Sequence, residues 1–376
     1  MIHVLWRGVA AMILAGGVQV FGYTSASAAG AVALAYVASG QVVVQENGVL
    51  TTVGAGQDPV WSPSGANLLY MNPDFVGGAA QLYVADSHGA NSRLLLKDSY
   101  PWVRPSWSVD GKSVVYTAVA PTSKANAAHL TLEVRAASLA GGGIRSLGHV
   151  TFVGGCKNTS SALQDAMGQA QGGYRGTPST LIWSKSNMVV VQSSCTGMGL
   201  TAFSVGSNKV TSLPDWSGGV LSPDGRIVAA IAIPTGGKAS SAQVGFLNLL
   251  TGKHWTIGPK LGSAEVAWAP DATGLLTVTQ PSDPQKGLVQ VHRLTPDGKS
   301  VALLGAIQGA GAYHLALDST GKSLSMAVVA NAPAAVGVPP TVQIYFMSAL
   351  IPGKASLFSL AGQPAWRPLA LTSTQK

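Results

Sequence analysis

Charge is scarce in this chain. Only 10% of its 376 residues are Asp, Glu, Lys or Arg, against roughly a quarter in an average globular protein. Long solvent-exposed helices lean on Glu and Lys, so such helices are disfavoured. Lys and Arg outnumber Asp and Glu by 23 to 15, a formal charge of +8, yet they form no run. Nucleic acid needs a clustered basic stripe and is therefore not the expected partner; a diffuse positive surface that keeps the chain soluble accounts for the balance. Cysteine is nearly absent, with Cys156 and Cys195 alone. No His sits at ligand spacing from either, so a zinc site is not expected. In an oxidising compartment the pair reads as a disulfide, with two free thiols as the alternative. Catalytic motifs are missing as well: no G-x-S-x-G elbow, no H-E-x-x-H and no EF-hand loop occur. Catalytic residues, a bound metal and cofactors are accordingly not expected. His88, His129, His149, His254 and His292 form no spaced pair and read as solvent-exposed strand or turn residues.

Apolar residues make up 47% of the chain, and glycine contributes 46 positions and proline 21. That mixture suits many short strands joined by turns. Arg7 is the one formal charge in the first 28 residues. An apolar stretch from Gly8 to Ala15 continues through Val20 and Phe21, and Ser25–Ala29 offers small residues around a cleavage point after Ala28. Residues 1–28 therefore read as a Sec-type signal peptide. The alternative is an uncleaved anchor, because Ala31 to Ala38 is apolar too. The expected location is secreted or extracytoplasmic, on the periplasmic or cell-wall side, with no membrane span after cleavage.

A phrase then recurs. It stands as Trp61-Ser62-Pro63-Ser64-Gly65, Trp107-Ser108-Val109-Asp110-Gly111 and Leu221-Ser222-Pro223-Asp224-Gly225. It returns as Trp268-Ala269-Pro270-Asp271 with Gly274, and loosely as Leu317-Asp318-Ser319-Thr320-Gly321. An apolar anchor, a tight turn and a β-rich run, mostly 46 to 49 residues apart, mark a blade array. Each repeat parses into four strands, as in Pro59–Ser62, Asn67–Met71, Gln81–Ala85 and Ser92–Leu96. Gln363-Pro364-Ala365-Trp366-Arg367 is an innermost-strand phrase with almost no blade after it. Ala33–Val37, Gln41–Val44 and Leu50–Val53 are three strands with no innermost strand before them. Joining the two ends gives an all-β, seven-bladed β-propeller closed by a composite blade, a single domain over residues 29–376. Six blades with a disordered tail is the alternative. The interval from Trp107 to Trp183 is long, 76 residues, and its excess, 153–177, reads as a loop inserted between blades two and three.

The phrase itself is scaffold. Pro presets φ, Asp or Ser caps the turn, and Gly takes a positive φ, while the Trp packs between sheets. The informative positions lie three residues before each anchor: Asp58, Arg104, Thr180, Gly218, Glu265, His314 and Gln363. Innermost strands begin at the face where the loops between second and third strands emerge, so these seven should ring the channel mouth. Merely meeting water there is one reading; orienting a ligand there is the other. The blade-to-blade insertion exits on the same face, which brings Cys156 and Cys195 together.

The W-S-P-D-G-K phrase, followed by a β run and an apolar strand ending in D-x-x-G, resembles the TolB-type, WD-repeat-like repeats of extracytoplasmic bacterial propellers. Similar repeats occur in the propeller of the LpqB lipoproteins and in the gating propellers of prolyl-oligopeptidase-like enzymes. The resemblance covers Gln57 to about Leu324 and Pro364-Ala365-Trp366. It implies a propeller that binds partner proteins or peptides. The repeats fill the chain, so neither a TolB-like α/β domain nor a hydrolase domain is expected within it, and no lipobox cysteine stands near the signal. The expected function is that of an exported, monomeric binding module for a protein, peptide or cell-wall component. The rival is a propeller enzyme of lyase, lactonase or glycosidase type with its site at the channel mouth. A purely structural envelope protein is a third reading.

Overall fold

A computed structural model describes residues 33–368, apart from 75–78, 102, 122, 124–128, 142, 154–179, 195–198, 208, 235–236, 238–240, 258–261, 280–286, 298, 310, 330–341, 351 and 360–361. The signal segment, both cysteines and nearly all of the insertion lie outside the described residues. Val153 does not: it ends the long outer strand Ile144–Val153, so the insertion begins one residue later than the repeat spacing implied.

Seven four-stranded antiparallel sheets make up the fold. The innermost strands of blades one to six are Gln57–Trp61, Ser106–Trp107, Leu181–Trp183, Trp216–Leu221, Ser263–Trp268 and Gly311–Leu317. Gly362–Trp366 supplies the innermost strand of blade seven and pairs with Ala33–Ala38, which leads into Gln41–Glu46 and Val49–Ala55. The blade shared by the two chain ends is therefore present, and the count is seven rather than six. No α-helix occurs among the described residues.

Burial explains which runs became which strand. The second strands, such as Ile227–Ala232 and Leu275–Thr279, are runs of apolar residues buried almost throughout, because neighbouring sheets cover both their faces. Outer strands alternate or open to solvent, as Val301–Gln308 does. Each seam between blades carries its own buried cluster. Val115, Leu132 and Phe152 of blade two meet Val189 and Phe203 of blade three, and equivalent sets join blades one and two, three and four, four and five, and five and six. At the closure Trp61, Leu68 and Tyr70 pack against Val42 and Val44. Leu34 and Tyr36 pack against Ile344, with Phe346 stacked on Phe358 at 4.5 Å between ring centres.

The anchors do more than fill space. Trp61 Nε1 donates to the Ala365 carbonyl at 3.0 Å, Trp107 Nε1 to Val60 at 2.9 Å and Trp268 Nε1 to Val220 at 3.2 Å. Each acceptor lies one residue before the anchor of the preceding blade, so the indole is an inter-blade staple. Trp183 departs from the rule and donates to Asn187 Oδ1 within its own turn. In blade two the turn is held by Ser108 Oγ donating to Asp110 Oδ1 at 2.6 Å and by the Lys112 amide donating to the same oxygen at 3.0 Å. Gly111 takes φ +67° there. Blade three puts Asn187 in that conformation at +62°. In blade five the turn residue is Ala272 at +59°, not Gly274 as the sequence phrase implied, because the phrase is counted from Asp271 rather than from the nearest glycine.

Arg367, just past the closing strand, ties the composite blade to its neighbour. Its amide donates to the Ala33 carbonyl, its guanidinium to the Ser87 carbonyl and to Glu46, and it lies over the Trp61 ring. Glu46 also meets His88 Nδ1 at 2.7 Å.

Candidate functional site

The innermost strands begin irregularly. Pairing with the second strand shifts register between Gln57 and Val60, Ser217 and Val220, Ser263 and Glu265, and Tyr313 and Ala316. Such bulges re-aim side chains. Three of the positions lying three before an anchor take a positive φ, namely Asp58 at +55°, Gly218 at +56° and His314 at +54°. Glycine adopts that conformation without strain; Asp and His do so at a cost, and residues held this way cluster at sites of function.

Asp58, Arg104 and His314 come together from blades one, two and six. Arg104 Nε and Nη2 donate to Asp58 Oδ1 at 3.1 and 2.9 Å, and Nη2 donates to His314 Nδ1 at 2.8 Å. Blade seven lies between blades six and one, so the Arg104 side chain bridges non-adjacent blades. The acceptor role of Nδ1 fixes the neutral imidazole with its proton on Nε2. Asp58 is fully buried, His314 nearly so, and the Arg104 side chain keeps 25% of its exposure.

Glu265 and Thr180 do a different job. Glu265 Oε2 accepts the Leu315 amide of blade six at 2.8 Å, and Thr180 Oγ1 accepts the Gly219 amide of blade four. In both, a side chain three before one anchor takes the N–H two before the anchor of the next blade. Proline stands at that second position in blades one, two and seven (Pro59, Pro105, Pro364) and has no N–H to give. Asp58 precedes Pro105 in this relation and His314 precedes Pro364, and both instead accept from Arg104. That proline pattern was readable in the sequence and would have separated seam residues from the Arg104 cluster.

Burial pushes the Glu265 carboxyl up to about 7, offset only in part by the Leu315 amide, the Arg104 charge and the His314 amide. Its acid form still offers an acceptor oxygen to Leu315, so the seam survives protonation. Across the molecule the turn carboxylates move the other way. Ser108 and the Lys112 amide hold Asp110 below its ordinary value, and Ser222 and the Arg226 amide do so for Asp224.

The seven sequence-derived positions therefore split. Asp58, Arg104 and His314 form one hydrogen-bonded cluster, Glu265 lies within reach of the Arg104 field, Thr180 belongs to a seam, and Gly218 takes a positive φ. The side chain of Gln363 is outside the described residues, as are most of the loops expected to gather on this face. His292 is buried rather than exposed, with Nε2 3.3 Å from Gln290 Oε1 and its basicity lowered by burial. The ring position of His292, on the third strand of blade five, faces a seam instead of solvent. His88, His149 and His254 are exposed. Among the described residues, no group of three or more His, Cys, Asp or Glu is placed to hold a metal ion.

No family model matches the chain. A stretch of 60 residues is 42% identical to the uncharacterized peptidase YuxL of Bacillus subtilis; it amounts to 16% of this chain and 9% of that protein. TolB from Acinetobacter baumannii superposes with a TM-score of 0.51 at 14% identity, over 90% of this chain and 67% of TolB. A prolyl endopeptidase gives 0.55 at 12% identity, over 88% of this chain and 50% of the enzyme. The chain thus spans half of that enzyme's length and a small fraction of the peptidase relative. At these identities the likeness establishes architecture alone: this chain is a seven-bladed β-propeller whose structural neighbours include TolB proteins and the propellers of peptidases.

Proposed function

We propose that the chain is an extracytoplasmic binding module that recognises a protein, peptide or cell-envelope ligand at the end of the channel where the innermost strands begin. One observation carries the reading. In a chain with few charges, Asp58, Arg104, His314 and Glu265 are brought from four blades to one end of the ring, three of them buried and one reaching solvent. Such an arrangement costs desolvation, and two of its members sit in strained backbone, so it exceeds what the seams require. The extracytoplasmic location rests on the N-terminal sequence. Among the described residues no helix is long and apolar enough to cross a membrane.

The test is capture of a partner from native envelope or culture medium by the full chain and by Arg104→Lys, with folding of the variant checked by circular dichroism. Loss of the partner with Arg104→Lys is expected. A partner retained at undiminished affinity by the folded variant would remove this face from the reading. A peptidase-linked role is a second reading, motivated by the peptidase YuxL and the prolyl endopeptidase as relatives of the propeller. Peptide hydrolysis by the purified chain, lost in Glu265→Gln, would replace the binding reading with that one.

A further inference from the structure

We propose that a crevice on the perimeter of the ring, between blades one and two, docks a peptide segment of a partner protein in which an apolar side chain stands beside an acidic one. The apolar side chain fills the crevice and the carboxylate pairs with Arg93. The site is separate from the channel end, and neither reading depends on the other.

The crevice is bounded by the outermost strand of blade one, Arg93–Ser99, and by the turn joining two outer strands of blade two, His129–Ser138 and Ile144–Val153. The four strands of each blade alternate in direction, so this turn and Arg93 lie at the end of the ring opposite to the Arg104 cluster. Its volume is about 230 Å³, roughly that of eight waters at about 30 Å³ each. Sites for whole small molecules run from about 300 Å³ upward, so the space suits a side chain of a longer ligand. Leu95, Leu96, Ala137 and Leu139 wall it, and Ile144, 57% exposed, stands at its edge. Leu96 and Ala137 also belong to the buried cluster of this seam. An apolar side chain entering here therefore extends an existing core. A lone exposed Ile needs no explanation, but one beside a hollow continuous with a core does.

Backbone pairing is not what this edge offers. Arg93–Ser99 pairs with Ala79–Asp86 through two register shifts and carries Arg93, Lys97 and Asp98. Bulges and charges are the means by which sheets blunt an edge, so the partner is held by its side chains and not as an added strand.

Charge selects the residue beside the apolar one. Arg93 is the charged member of the lining, and its one hydrogen bond among the described residues runs from Nη2 to the Leu139 carbonyl at 3.2 Å. Nη2 shares one edge of the guanidinium with Nε and the other with Nη1. Whichever Nη2 hydrogen is spent, one edge keeps both donors for a carboxylate. Around the crevice Arg93, Lys97, Arg135 and Arg145 outnumber Asp98 and Glu133, a balance of +2. Both of those carboxylates are already engaged by Arg135, at 2.6 Å and 2.7 Å. A segment carrying Asp or Glu complements this rim, and a basic segment is repelled.

The experiment selects phage-displayed random dodecapeptides on the full chain at pH 7, then titrates the synthesised peptides calorimetrically. Enriched sequences should place an acidic residue beside an apolar one. Ile144→Asp should weaken their binding about tenfold or more, the worth of one apolar side chain kept from burial. Arg93→Gln should weaken it about two- to fivefold, the range of an exposed pair, and Arg93→Glu further. Val210→Asp, equally exposed at 55% on the outer strand of blade three, should bind as the unaltered chain does. All these positions are exposed, and circular dichroism checks that each variant folds. Enrichment of basic peptides, equal loss in Val210→Asp, or no peptide that depends on Ile144 would each overturn the proposal. Self-association of the chain that Ile144→Asp abolishes would give the crevice to a second copy and overturn it as well. Peptides lost only with Arg104→Lys would overturn this inference and support the channel-end reading.

Discussion

The innermost strands of the ring have two unlike ends. In blades one to six the strand finishes in a nearly constant device: an apolar anchor, a tight turn and a residue at positive φ, as at Trp107, Ser108, Asp110 and Gly111. Near its start, three residues before the anchor, each carries its own residue: Asp58, Arg104, Thr180, Gly218, Glu265, His314 or Gln363. At the turn end Asp110 and Asp224 are exposed, held by local N–H and O–H donors and kept ionised. At the other end a carboxyl is buried and keeps its proton to about pH 7. Repetition marks what every blade needs in order to fold. Variation at a structurally equivalent position marks what the ring does not need, and there the charges converge.

The largest expected effect breaks the converging end. Arg104→Met leaves the Asp58 carboxylate buried without its cation, and removal of one partner from a buried pair typically costs about 3–5 kcal/mol. Because Arg104 is partly exposed, we expect a loss near the lower bound, about 3 to 4 kcal/mol, read by urea unfolding at pH 7. Adding Asp58→Asn should restore most of it, since Asn tolerates the positive φ at that position. A loss under about 1 kcal/mol would mean that water already reaches Asp58.

Next come the two acids of opposite sign. The folded chain holds the Glu265 proton to higher pH than the unfolded chain does. Its contribution to stability is therefore intact below about pH 4.5 and is lost as pH rises through about 7. Glu265→Gln keeps an acceptor for Leu315 and removes the ionisation, so it should stabilise by about 3 kcal/mol at pH 8 and change little at pH 4. Asp110 runs the other way. Its carboxyl is held below the ordinary 3.8, so its contribution is present above that pH and is lost as pH falls through the folded value. Asp110→Ala should cost about 1 kcal/mol at pH 7, the worth of exposed turn hydrogen bonds, and almost nothing near pH 2. Thermal melts across pH 2 to 8 check both; parallel pH profiles for the two variants would erase the contrast between the ends.

How far the sequence disclosed this follows from the same contrast. The turn device repeats in the residues themselves, so the blades, their count and the composite blade of Gly362–Trp366 with Ala33–Ala38 were all readable from spacing. The converging end does not repeat. Its alignment by offset from the anchor identified the seven positions but gave no hint that Asp58 and His314 take a positive φ while Thr180 and Glu265 do not. Backbone bulges leave no periodic trace, and a contact such as Arg104 to His314 joins residues 210 apart. His292 misled for a related reason: a polar residue on a third strand can face a seam when the neighbouring blade supplies cover, and local alternation does not report the neighbour.

The smallest effect isolates strain from function. Ala272 and Asp58 both hold a positive φ, at +59° and +55°, at opposite ends of the ring. A non-glycine residue in that region costs roughly 1–2 kcal/mol, and glycine recovers it minus the added freedom of the unfolded chain. Ala272 has no side-chain hydrogen bonds to lose, so Ala272→Gly should stabilise by about 0.5 kcal/mol and leave partner capture unchanged. Asp58→Gly gains the same relief but strips Arg104 of its two fixed bonds to Asp58 Oδ1. It should therefore lose binding at every pH even where its melting temperature is tolerable. If Asp58→Gly instead captured the partner as the unaltered chain does, the strain at Asp58 would be an accident of the bulge, no different in kind from that at Ala272.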